Sequence, residues 1–165
     1  MSKAPAMDGR VCLRRARSAD IPAMSAIRLA VRENVLSDPA RVTPQMYEDY
    51  LDRAGRGWVA EVDGVLAAFC YADRAQASIW ALFVSPPYEG RGLGKALLAL
   101  AVAWLFDLGH ERITLGTGPG TRADGFYAAQ GWTRIAGDGR EIAYRLDRHG
   151  QSAGAATSPR AGLSA

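Results

Sequence analysis

The chain has 165 residues, 48% of them hydrophobic, with 20 Lys and Arg against 17 Asp and Glu. That length suits one domain with a real core, and that hydrophobic share excludes global disorder. The net charge of +3 comes from the ends: residues 11–147 hold 16 basic and 16 acidic residues. No basic run or basic–aromatic alternation survives there, so a nucleic-acid partner is not expected.

Residues 11–14 read as a first strand. Ser18 or Asp20 can cap a helix running to about Val35, with Pro22 tolerated in its first turn. Thr43-Pro44 is a cap-plus-first-position pair for a second helix through Arg53. Residues 57–62 and 65–71 form strands joined by Asp63-Gly64, a strong hairpin signal. Residues 78–84 are a continuous apolar run of strand length, rich in aromatic and branched side chains, and read as a buried fourth strand. Residues 96–108 are apolar on nearly every side and stop at Gly109, as a mostly buried third helix would. Residues 112–115 are strand five, and Thr121 to Asp124 has the capping-box spacing for a fourth helix ending at Gly131. Residues 132–136 and 141–146 are the last two strands, joined at Gly137-Asp138-Gly139. The expectation is an α/β domain with a mixed sheet over residues 11–147, flanked by a disordered N-terminal segment, 1–10, and a disordered tail, 148–165.

Cys12 and Cys70 sit in strand-like apolar stretches and read as small buried hydrophobes. With two histidines and no C-x-x-C spacing, no metal-ligand set is expected. The N-terminal residues have no apolar signal region and no apolar stretch reaches spanning length. The expectation is a cytoplasmic, metal-free protein with no membrane partner.

The junction between strand four and helix three carries the functional information. It reads Ser85-Pro-Pro-Tyr-Glu-Gly-Arg-Gly-Leu-Gly-Lys95, with glycines at 90, 92 and 94. A helix begins there with its first N–H groups unpaired at the positive end of its dipole, and glycines let a ligand approach that backbone. Such a junction suits a phosphate or pyrophosphate. A Walker P-loop fails twice, since Ala96 replaces the hydroxyl and Glu89 the first glycine. A dinucleotide fingerprint fails too, because its third glycine falls at Lys95 or Leu97, and two or three strands precede the turn.

The stretch Val84-Ser-Pro-Pro-Tyr-Glu-Gly-Arg-Gly-Leu-Gly-Lys-Ala-Leu-Leu98 resembles the central acyl-coenzyme A motif of the GCN5-related N-acetyltransferases, [QR]-x-x-G-x-[GA]. Phe126-Tyr-Ala-Ala-Gln-Gly-Trp132 is similar to that superfamily's downstream FY-x-x-x-GF/GW segment. The resemblance covers roughly residues 11 to 147, with specific motifs at 82–98 and 121–132. One departure is Glu89, where Gln or Arg is usual. The resemblance implies a mixed, mostly antiparallel sheet splayed between strands four and five, with helices on both faces. It implies an N-acetyltransferase acting on acetyl-CoA and a primary amine of a small molecule or peptide by direct attack in a ternary complex. A non-catalytic acyl-CoA sensor or interaction module of the same fold is the alternative. A homodimer rests on family analogy alone.

Carried onto this chain, the resemblance assigns pantetheine to the main chain of Leu82, Phe83 and Val84, and pyrophosphate to Glu89, Gly90, Arg91, Gly92, Leu93, Gly94 and Lys95. Residues 116–120, Gly-Thr-Gly-Pro-Gly, suit a wall against the cofactor, with Thr117 among the contacts; a plain loop is the competing reading. Tyr127 matches the family's tyrosine near the thioester sulfur and is the candidate general acid, since a phenol with pKa near 10 stays protonated at neutral pH. An amphipathic core tyrosine is the competing reading. The family's strand-four glutamate has no counterpart in Ile79-Trp80-Ala81. Glu33 is the candidate base, with Asp124 and Glu61 behind it. Trp58 and Trp80 are candidates for an acceptor pocket or for core. Arg122 could hold an acidic acceptor or the cofactor, or stand solvated on its helix. No cysteine or serine occupies a credible nucleophile position, which disfavours an acyl-enzyme.

Overall fold

The structure is a computed structural model that describes residues 10–31, 44–117, 122–135 and 142–148. Seven strands and four helices occur there, in the order β1 (Val11–Arg15), α1 (Ile21–Ala30), α2 (Pro44–Asp49), β2 (Gly55–Val62), β3 (Val65–Asp73), β4 (Ser78–Val84), α3 (Leu93–Asp107), β5 (Arg112–Thr117), α4 (Arg122–Ala129), β6 (Thr133–Ile135) and β7 (Ile142–Asp147). They form one sheet of order β1-β2-β3-β4-β5-β7-β6. Only β4 and β5 run parallel; the other neighbours are antiparallel. The first helix ends at Ala30, short of the expected Val35, because Val31 is already extended at φ −88° and ψ 103°; most of the expected N-terminal segment and tail lie outside the described residues.

Local chemistry sets most boundaries. Asp63 and Gly64 both have positive φ, 51° and 84°, so the β2–β3 hairpin closes through a turn whose twist suits the flanking strands. Gly109 (φ 104°) donates its N–H back to the Phe106 carbonyl and ends α3. The second helix stops at Asp49 rather than Arg53, because the chain must enter β2 at Gly55. Only glycine fits there: a Cβ on Gly55 would sit 1.9 Å from the Ala72 carbonyl oxygen of the neighbouring strand.

The sheet has an apolar core on each face. Beneath α3 and α4, Ala60, Ala68, Cys70 and Ile113 meet Leu97, Ala101 and Leu105, and Trp58 packs edge-on to Trp104 at 5.8 Å. Each fully buried leucine there contributes about 1.5–3 kcal/mol. Beneath α1 and α2, Met24, Ile27 and Tyr47 cover Val59, Phe69, Tyr71 and Phe83. Trp80 joins that second core, stacked on Tyr71 at 5.0 Å and edge-on to Tyr50 at 5.1 Å. Both tryptophans therefore belong to core packing.

β1 is an edge strand, and Cys12 on it is exposed, contrary to the expectation that both cysteines are buried; Cys70 is fully buried. An edge strand has cover on one side only, so its apolar residues (Val11 at 49% and Leu13 at 38% exposure) face solvent. What holds β1 in place is ionic. The Arg14 guanidinium donates to both Asp20 oxygens at 2.8 and 2.9 Å and to Glu61 of β2 at 2.8 Å. Asp20 also accepts the Arg17 backbone N–H at 2.8 Å. Hydrogen bonding from Arg14 holds the Asp20 carboxyl below the usual carboxylate range, although burial acts in the opposite direction.

The middle of the sheet opens. β4 pairs with β5 only at Ser78↔Thr114 and Ile79↔Leu115. Opposite Tyr71 and Ala72 of β3 the register slips, leaving Trp80 as an extra residue on β4. This bulge bends β4 at the point where its pairing with β5 ends. From Trp80 to Val84 the β5-facing edge of β4 has no strand partner among the described residues.

Candidate acyl-donor cleft

The unpaired end of β4 leads directly into the glycine turn. After Val84, Pro86–Tyr88 makes one 3-10 turn, and Gly92 caps α3 in the left-handed conformation with φ 82° and no side-chain hydrogen bond. Gly90 shares that conformation at φ 83°. A Cβ at either position would meet nothing within 4 Å. Glycine is thus required there for backbone conformation, and the space in front of the turn is open. The first N–H groups of α3 have no acceptor within their own helix and point out of its positive end.

A cleft of about 420 Å³ lies against this turn. Its wall contains Leu82, Phe83 and Val84 from β4, then Glu89, Gly90, Gly92, Leu93, Gly94 and Lys95 from the turn and α3, and Tyr127 from α4. Sequence reasoning named all ten. Val31, Tyr88, Phe126 and Gln130 also line it and were not singled out. Two had a usable signal: Tyr88 stands inside the glycine-rich motif, and Phe126 is the first half of the Phe-Tyr pair. Gln130 lies three residues after Tyr127, in the turn that follows α4. Val31 enters only through tertiary placement of the end of α1.

Two predicted contacts are not in the cleft wall. Arg91 lies over the Tyr88 ring, 5.1 Å from its centroid. Thr117 ends β5 with a buried hydroxyl that has no hydrogen-bond partner among the described residues. Glu33 lies outside the described residues, as do residues 118–121 and 136–141, and nothing is described of the Arg122 and Asp124 side chains. Glu61 is remote: it sits on β2, paired with Arg14.

Tyr127 is 6% exposed and held by three aromatic neighbours, with ring centroids 5.1 Å from Phe126, 5.8 Å from Trp132 and 5.7 Å from Tyr144. Burial pushes its pKa well above the ordinary phenol value, and proximity to the Cys70 thiol adds a little. The group is a neutral donor at any physiological pH. Among the described residues of the cleft wall only Glu89 carries a carboxylate, and it stands beside the glycines. Among the described residues no cluster of His, Cys, Asp and Glu could hold a metal ion, and no helix is long and apolar enough to cross a membrane.

An unpaired strand edge, an anion-ready helix start and a buried phenol on one cleft invite comparison with known proteins. Over 67 residues, the chain is 43% identical to an uncharacterized N-acetyltransferase ycf52-like protein of Prochlorococcus marinus, covering 40% of this chain and 36% of that one. It is 30% identical over 122 residues to a mycothiol acetyltransferase of Propionibacterium freudenreichii, covering 70% of this chain and 39% of that protein. The chain thus spans less than two fifths of the length of these curated relatives. The fold matches the PaiA N-acetyltransferase of Thermoplasma acidophilum, solved in complex with coenzyme A, with TM-score 0.70 and 17% identity over 84% of this chain and 99% of that one. Residues 23–132 match the profile of the acetyltransferase (GNAT) family, and the chain belongs to that family.

Proposed function

We propose that the protein is an N-acetyltransferase that transfers the acetyl group of acetyl-CoA to a primary amine by direct attack in a ternary complex. One observation carries the reading. The free edge of β4, the left-handed glycines and the buried Tyr127 hydroxyl line a single cleft of about 420 Å³. The structural neighbour from Thermoplasma acidophilum binds coenzyme A, and the open space before Gly90 and Gly92 fits a pyrophosphate approaching the start of α3.

In this mechanism the N–H groups at the start of α3 hold the pyrophosphate, with Lys95 adding positive charge. The main chain of Leu82 to Val84 hydrogen-bonds the pantetheine arm in the place of a neighbouring strand. The amine attacks the thioester carbonyl, and an N–H of the β4 edge stabilises the oxyanion that forms. Tyr127 gives its proton to the departing thiolate as the C–S bond breaks. Its high pKa keeps that proton in place until then. The attacking ammonium must first lose a proton, and Glu33 is the candidate for that step.

The absence of a carboxylate from Ile79-Trp80-Ala81 favours a second reading, a donor-binding sensor, because the donor cleft would then lack the base that the family places on this strand. Calorimetric titration with acetyl-CoA, CoA, ATP and NAD, followed by an amine panel, separates the readings. Micromolar binding of acetyl-CoA and CoA alone, with turnover that falls in Tyr127→Phe, supports the enzyme. Binding without turnover across the panel supports the sensor. No binding of acetyl-CoA or CoA overturns both.

A further inference from the structure

The end of the sheet opposite the cleft carries an arginine cluster that acetyl transfer does not use. Arg74 precedes β4 at its Ser78 end, whereas the cleft lies at the Val84 end. The Arg56 and Arg74 guanidinium groups lie over the Trp104 ring of α3, 4.9 and 5.2 Å from its centroid. Arg15, at the end of β1, approaches from the side, donating to the Leu51 carbonyl at 3.1 Å and reaching Asp52 Oδ1 at 3.5 Å. Arg74 donates to the Asp52 carbonyl at 3.0 Å. Arg15 and Arg74 thus reach the turn between α2 and β2, and Arg56 shares the Trp104 ring with Arg74.

Their charge is poorly balanced. Among the described residues Asp52 is the one carboxylate that pairs with any of the three; it meets Arg15, and its side chain is 84% exposed. The nearby acids have other partners: Asp49 pairs with Arg53, and Asp73 accepts from the Tyr50 hydroxyl and the Gln76 N–H. The buried Nε–H of Arg56 has no acceptor among the described residues. Burial lowers the Arg56 pKa, and the charges of Arg15 and Arg74 lower it further against the opposing pull of Asp52. An anion arriving here would relieve all of these strains together.

We propose that Arg15, Arg56 and Arg74 form a second binding site, for a small phosphate-bearing molecule, at the end of the sheet remote from the cleft. Contact with the indole restrains two of the guanidinium groups, so less freedom is lost when their N–H donors meet an anion. Three positive groups against one carboxylate leave an excess of two charges. A phosphate group, carrying about −1.5 to −2 at neutral pH, matches that excess, whereas a single carboxylate leaves half of it. The guanidinium fork also matches phosphate oxygens in bidentate geometry. Free phosphate and a nucleoside monophosphate are the two sources of that chemistry.

Nitrogen-labelled full-length protein titrated with inorganic phosphate, and in parallel with AMP, tests the site by NMR. The Trp104 indole N–H, assigned by Trp104→Phe, is the local reporter, and sodium chloride at matched ionic strength is the control. The expected result is a saturable shift of that indole and of the Gly55, Arg56 and Arg74 amides. Arg56→Gln and Arg15→Gln each weaken it about tenfold, as losing a charge-assisted contact should; Arg15 does not stack on Trp104, so its variant leaves the indole packing intact. Tighter binding of AMP assigns the site to nucleotides, and equal binding assigns it to the phosphate group alone. Shifts reproduced by chloride, shifts confined to the Gly90–Lys95 amides, or shifts unchanged in both variants would overturn the proposal.

Discussion

Gly92 and Gly94 stand two residues apart at the start of α3, yet the structure assigns them opposite responses to the same added methyl group. At Gly92 φ is 82° and a Cβ would touch nothing within 4 Å. The cost of Gly92→Ala is therefore backbone strain alone, about 1 kcal/mol for an L-residue in the left-handed region. For a chain of this size that lowers Tm by about 2–4 °C. Gly94 has no positive φ, and its Cβ would lie 3.5 Å from Val84 Cγ2 and 3.9 Å from Phe126, ordinary contact distances. Alanine is the better helix former, so Gly94→Ala should raise stability by about 0.5–1 kcal/mol. Both neighbours of that methyl belong to the cleft wall, so it stands where the pyrophosphate must approach the backbone. Losing one charge-assisted N–H contact, about 1.5–3 kcal/mol, weakens CoA binding at least about tenfold. Denaturant melts and calorimetric CoA titrations of both variants make the comparison. If Gly94→Ala bound CoA as well as the parent, the junction would be a packing device and the phosphate assignment would be wrong.

Further outcomes are expected elsewhere. Tyr127→Phe should lower kcat by about 10²-fold or more while leaving CoA affinity and melting temperature near the parent values, because the ring packing on Phe126, Trp132 and Tyr144 is kept; steady-state kinetics beside calorimetry checks it. The raised Tyr127 pKa also means that no loss of rate from its ionisation should appear in a pH–rate profile up to about pH 10. Asp20 has a lowered carboxyl pKa, so its contribution to stability is present above the ordinary carboxylate value and is lost as pH falls through the folded one. Denaturation curves of Asp20→Asn against the parent should therefore differ most at neutral pH and converge in acid. Gly57→Ala would place a Cβ 2.5 Å from the fully buried Tyr71 ring, which is stacked on Trp80 and cannot swing away. A loss of about 1–3 kcal/mol is expected by urea titration.

The parts of the site that depend on local sequence were legible; those that depend on which elements become neighbours were not. The β4–glycine–α3 block announced itself because an apolar run, alternate glycines and a second apolar run impose one geometry on consecutive residues. Tyr127 was legible through its Phe-Tyr pairing in the motif. Val31 was not, since nothing in its neighbourhood says that the end of α1 approaches β4. Cys12 was misread for a related reason: an apolar alternation looks the same on a central strand and on an edge, and only the sheet order leaves β1 uncovered. Glu61 looked like a free acid in the sequence, and its partner Arg14 lies 47 residues away. Thr117, expected at the cofactor from its glycine-rich surroundings, ends β5 with a buried hydroxyl and is not among the residues lining the cleft.

The two pairs that join β4 to β5 leave the sheet as two nearly independent halves, one of β1 to β4 and one of β5, β7 and β6. The first half is an antiparallel run whose later strands succeed each other through short turns; the second depends on packing beneath α3 and α4. A hydrogen-bond ladder that short yields before the rest, so the second half should open at lower free energy than the first. A donor bound as proposed would touch β4 directly and the second half through Tyr127, which packs on Tyr144 of β7; at a hundredfold excess over Kd it would add about 2.7 kcal/mol against that opening. Cellular supply of the donor would then govern how long this protein survives as well as how fast it works: when the donor runs short, the strands after α3 become the first stretch a protease can reach.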